Sequence, residues 1–148
     1  MKITKKVIIS LVGLALIAVG FGGYARYQAQ MRDARPILKL LAENKVWDAG
    51  LLILDGPRLK EVGAHKVWKT IIKELATATD MQEIDTLFSV IISLQEKRLY
   101  FQEEGDWQII KAAAERYNQV PKSHRPCDYL IFKHEYDGYW LSFRIERS

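Results

Sequence analysis

The chain has 148 residues, 49% of them hydrophobic and 27% charged, which suits one compact domain with an appendage and excludes a low-complexity or fibrous chain. Three of its 22 Lys and Arg residues (Lys2, Lys5 and Lys6) precede a long uncharged run, so the rest of the chain sets 19 basic residues against 18 acidic ones, a net +1. Nucleic-acid binding is not expected of so neutral and charge-interspersed a domain, because phosphate recognition needs a concentrated basic face.

Val7 to Ala25 carries no charge, and as a helix it extends roughly 28 Å, about the hydrocarbon thickness of a bilayer. Val7, Leu11, Leu14, Ala18, Gly22 and Tyr24 are the expected anchor positions, with the membrane as partner. Basic residues lead the run, and Tyr24, Arg26 and Tyr27 suit the far interface, so the expected topology is a single pass, N-in, with the C-terminal domain on the periplasmic side. Arg26, Arg32, Arg35 and Lys39 follow closely and leave a C-in topology as an alternative. Gly23-Tyr24-Ala25 also matches a signal-peptidase site after Ala25, which would make the product secreted. The run is longer than an ordinary signal h-region of about 7 to 15 residues, and retention is the expectation. Ala18 and Gly22 form a small-xxx-small pair of the kind that lets a second helix approach.

Residues 1–25 are therefore read as a basic tail and anchor, 26–35 as a helical stalk, and 36–148 as a helical domain. Pro36 is expected to interrupt the stalk, and Ile37, Leu38, Leu40 and Leu41 to line a new helix that stops at Asn44. KVWDAGLLILDGP is ambiguous: Trp47, Leu51 and Leu54 share a helical face, yet Leu51 to Leu54 is also a short apolar run before Asp55-Gly56-Pro57. Helix is preferred there, and a strand over Gly50 to Leu54 is the alternative. Pro57 is assigned the first helical position of the next segment, whose Leu59, Val62, Val67, Trp68, Ile71, Ile72 and Leu75 recur at three and four. The triplet Lys-Val-Trp recurs at Lys45 and Lys66, but no period of 34 accompanies it, so no tetratricopeptide array is assigned.

Thr79 or Asp80 should cap a helix buried through Ile84, Leu87, Phe88, Ile91 and Leu94, with Gln82 or Glu83 completing a capping box. Asp106 should cap a last helix carrying Trp107, Ile110, Ala114 and Tyr117. The C-terminus then changes period: it alternates, is rich in aromatic and β-branched residues, and contains Asp137-Gly138. A β-hairpin over about 128–146 is expected, with Phe132 opposite Phe143 and His134 opposite Leu141. The fold class is α+β, mostly helical: one transmembrane helix, then four or five helices ending in a hairpin. Tyr129, Ile131 and Trp140 fall on the more polar ribbon face and are candidate partner-binding residues.

PKSHRPCDY is the densest chemistry, with His124 able to serve Cys127 as a base in a Cys-dependent enzyme. The chain contains one cysteine, and two prolines make the stretch read as a connector. His124 and Cys127 supply at most two metal ligands, His134 being a speculative third, and the chain has no Gly-rich phosphate loop, HExxH or GxSxG. No cofactor and no small-molecule ligand are expected. The function these features favour is a non-catalytic accessory or assembly subunit in a bacterial envelope, contacting other membrane or envelope proteins. The alternative is an exported inhibitor or immunity protein that binds one extracytoplasmic enzyme.

Overall fold

The computed structural model describes residues 5–97, 104–124, 129–135 and 140–146. They are mostly helical, and six helices occur among them: α1 (Lys5–Met31), α2 (Ala34–Ala42), α3 (Val46–Asp55), α4 (Glu61–Thr77), α5 (Met81–Glu96) and α6 (Glu104–Gln119). Between Val7 and Ala25, α1 carries no charged residue on any face. From Ile9 to Met31 its mean hydropathy is 1.6, and nothing in the fold covers the apolar stretch.

α1 runs past the expected membrane boundary without a break and stops at a turn over Arg32 and Asp33, not at Pro36. Pro36 instead occupies the third position of α2. The first turn of a helix has no intrahelical use for its N–H groups, so a missing donor costs little there. α2 ends as its Asn44 suggested: Asn44 takes a φ of 57°, its N–H donates to the Leu41 carbonyl at 3.0 Å, and the Lys45 N–H donates to Leu40 at 2.8 Å. This pair of bonds is a Schellman closure, with Asn in the left-handed position usually given to Gly.

The ambiguous stretch is helical, so Gly50 to Leu54 contributes no strand. α3 buries Val46, Ala49, Gly50 and Ile53. Small residues on that face let α3 approach α5 closely: a Cβ built on Gly50 would lie 3.0 Å from Val90 Cγ2. Pro57 does not open α4, which begins four residues later at Glu61. Pro57 to Lys60 form a connector without regular structure, and the burial of Leu59 ties it to the core.

α4 is the central helix and packs against α1, α2, α5 and α6. Its Val67, Trp68, Ile71 and Leu75 are fully buried, together with Phe88 and Ile91 of α5 and Ile110 and Tyr117 of α6. His65 is half-buried on α4. Asp80 caps α5 as expected, its Oδ1 accepting the Glu83 N–H at 2.9 Å.

The end of α1 belongs to this core. Met31 and Ala34 are buried, and a Cβ on Gly63 would fall 2.8 Å from both Ala34 Cβ and the Gln30 carbonyl oxygen. Gly63 is therefore a close-approach position between α4 and the α1–α2 corner. Lys60, at the N-cap of α4, makes no side-chain cap; Gln30 Oε1 accepts the Val62 N–H at 3.2 Å instead. One of the N–H groups left over at the α4 terminus is thus satisfied from α1.

After α6, a single 3₁₀ turn (Lys122–His124) precedes two extended segments, β1 (Tyr129–Glu135) and β2 (Trp140–Glu146). The expected Asp137-Gly138 turn lies outside the described residues.

Candidate functional site

α3 is apolar on more than one side. Having buried its small face, it leaves Trp47 (54% exposed), Leu51 (43%) and Leu54 (39%) at the surface. These three lie at i, i+4 and i+7, one above another along the helix. With Gly50, Val90, Ser89 and Ser93 they line a groove between α3 and α5 of about 110 Å³. Both groove hydroxyls are already bonded within α5: Ser89 Oγ donates to the Asp85 carbonyl at 3.1 Å, and Ser93 Oγ donates to the Ser89 carbonyl at 3.0 Å. The groove therefore offers apolar contact and little hydrogen bonding.

At the N-terminal end of α3, with Trp47 lining both, lies a second, open cleft of about 290 Å³ whose lining includes Asp48, Asp80, Gln82 and Glu83. Lys45 is the one basic residue among the described residues that line either cavity. Its Nζ lies 2.8 Å from Glu43 Oε2, and that hydrogen bond, with the charge of Glu43 behind it, raises the Lys45 pKa above its ordinary value. Lys45 is paired with Glu43 and also feels the charge of Asp48, so one lining cation stands against Asp48, Asp80 and Glu83 and the cleft lining is net acidic. An apolar trough with an acidic mouth is the result.

The second polar concentration is internal. Asp106 does not cap α6: the helix starts at Glu104 and places Asp106 in its first turn, where an acidic side chain suits the positive helix end. Its buried carboxylate accepts Trp68 Nε1–H at 2.8 Å through Oδ2 and lies 3.0 and 3.1 Å from Lys69 Nζ. Trp107 meets Trp68 edge-on, the ring centres 5.5 Å apart and inclined at 68°. This cluster ties α4 to α6. Two turns further along α4, Arg116 donates to the Leu75 carbonyl at 2.9 Å and joins the same two helices. Asp85 Oδ1 and Trp107 Nε1 are buried without a hydrogen-bond partner among the described residues.

No family model, curated protein or solved structure matches this chain. Its functional reading therefore rests on its own surface.

The residues singled out from sequence fall in three places. Val7, Leu11, Leu14, Ala18, Gly22 and Tyr24 all lie on α1, where Leu11, Leu14 and Tyr24 are more than half exposed. A Cβ on Gly22 would meet nothing within 4 Å, so the Ala18–Gly22 pair meets no packing partner among the described residues. Tyr129 and Ile131 lie on the first extended segment and Trp140 on the second. His124 is exposed at the end of the 3₁₀ turn, its Nδ1 3.0 Å from Ser123 Oγ, while Cys127 lies outside the described residues. No group of three His, Cys, Asp or Glu side chains converges as a metal site among the described residues.

The α3 groove was not identified from sequence. Its signal was the apolar character of VWDAGLLIL on both helical faces, more than one buried contact with α2 and α5 can use.

Proposed function

We propose that this protein is a single-pass, membrane-anchored accessory or assembly subunit, non-catalytic, whose helical domain contacts other proteins at the surface of a bacterial envelope membrane. The observation that carries the reading is α1, a 27-residue helix uncovered along its apolar length and built at its C-terminal end into the domain core through Met31, Gln30 and Gly63. An apolar helix of that length needs a bilayer or partner helices around it. The leading lysines favour an N-in arrangement with the domain on the periplasmic side. In this reading the C-terminal segments close through Asp137-Gly138 into a hairpin. Tyr129, Ile131 and Trp140 then add a second contact surface.

The test joins intact mass with topology. Chain extracted from membranes should retain residues 1–25, and a C-terminal reporter should be active only outside the cytoplasm. Native mass spectrometry after gentle detergent extraction should then show a stoichiometric partner. A strictly monomeric species overturns the subunit reading.

One observation favours a second reading, the exported inhibitor. The Gln30–Val62 hydrogen bond, the close approach of Gly63 and the burial of Met31, which fasten α1 to the domain, all lie beyond Ala25, so cleavage there would leave them intact. A natural product lacking its first 25 residues, fully active in that form, would select it.

A further inference from the structure

At the α3–α5 groove an exposed apolar stripe on the domain lies beside a cleft whose lining is net acidic, with Trp47 shared between them. Three occupants are physically available to it: the bilayer, a second copy of the chain, and a helix of another protein. An anionic lipid surface is disfavoured, because Asp48, Asp80 and Glu83 stand at the mouth and the only lining cation, Lys45, is held by Glu43. A second copy is disfavoured for the same reason. Asp48 stands near one end of α3 and Asp55 at the other, so a two-fold contact brings acid against acid in either direction.

We propose that this groove binds a basic amphipathic helix of a partner protein, apolar along one stripe and carrying Lys or Arg at the end that reaches Asp48, Asp80 and Glu83. The stripe from Trp47 to Leu54 extends roughly 10 Å along α3, two turns of helix, which is the reach of ligand anchors at i, i+4 and i+7. The shallow trough takes the partner's apolar side chains between Trp47, Leu51, Leu54 and Val90. The acidic mouth sets the partner's direction, because reversing it would place its cations over the apolar end. The inference deepens the proposed function by giving the partner's chemistry, and it can fail independently of the anchor.

The experiment uses the full chain in lipid nanodiscs and a displayed library of 18-residue helices with randomised stripe and terminal positions. Selected helices should be enriched in Lys and Arg at one end and in Leu, Phe or Met along the stripe. Leu51→Ser, at an exposed position, should weaken a selected peptide about tenfold or more in fluorescence anisotropy. Asp48→Lys combined with Glu83→Lys should shift selection toward acidic helices, with an unchanged circular dichroism spectrum confirming the fold of each variant. Selection of neutral or acidic helices by the unaltered chain overturns the proposal, as does an affinity indifferent to Leu51→Ser or an absence of enrichment. Two further results also overturn it: disulfide capture of a second copy through Leu51→Cys in a Cys127→Ser background, and quenching of a label at that position by brominated lipid. None of these readouts depends on whether residues 1–25 are retained, which intact mass decides separately.

Discussion

Replacing Asp106 by Ala removes the acceptor of the Trp68 indole N–H, a group inside the core at 0% exposure. Leaving that donor unpaired costs about 1–3 kcal/mol. The lost ion pair adds under about 1 kcal/mol, because the Lys69 side chain is 35% exposed and water screens it. A total near 2–3 kcal/mol corresponds to a fall in melting temperature of roughly 8–12 °C at about 4 °C per kcal/mol for a domain of this size. Asp106→Asn keeps an oxygen acceptor for Trp68 and gives up the charge, so it should cost about 1 kcal/mol, roughly 4 °C. Thermal unfolding of the full chain in mild detergent, followed by far-ultraviolet circular dichroism from its helices, measures both. Repeating Asp106→Ala in a Trp68→Phe background isolates the bond, since its cost should fall by most of the indole contribution. The reasoning is refuted if Asn is as damaging as Ala, because charge and not the indole bond would then hold the cluster. It is equally refuted if the Phe background leaves the cost of Ala unchanged.

Two glycines test the joint between α1 and α4 by contrast. Gly63→Ala places a methyl 2.8 Å from Ala34 Cβ and from the Gln30 carbonyl, and this overpacking, about 1–3 kcal/mol, should outweigh the gain of about 1 kcal/mol in helix propensity. Gly105→Ala, whose methyl would meet nothing within 4 Å, should leave the melting temperature unchanged or raise it. At the start of α5, Asp80→Ala should cost about 1 kcal/mol by removing the cap on the Glu83 N–H, and Asp80→Ser should recover most of it in the same melting assay.

What could be read from sequence divides by the range of the interaction that decides it. The Asp80 cap and the Asn44 closure involve bonds across three to five residues, so local pattern sufficed. Asp106 looked equally like a cap, but its carboxylate answers to Trp68, 38 residues earlier, and no local rule contains that partner. Pro57 was misplaced for a similar reason: the connector it begins is held by the burial of Leu59 in the assembled core. The candidate groove was hidden by an excess of signal. Val46, Ala49, Gly50 and Ile53 make one apolar face of α3 and Trp47, Leu51 and Leu54 another, and periodicity cannot choose between them. The small residues of the first face admit α5 closely, as Gly50 against Val90 shows, so the larger side chains remain outside.

The contact of Gln30 with Val62 and Gly63 has a geometric consequence. A helix clamped at its foot has no swivel, and with α1 held in a bilayer the compass bearing of the α3 groove is set by how many residues separate Ala25 from Gln30. Each residue inserted there turns the groove by roughly 100° about the α1 axis and lifts it by about 1.5 Å. Chain length at this point therefore acts as an angular coordinate. Four inserted residues nearly restore the heading one turn higher, whereas two would turn the groove to face almost the opposite way.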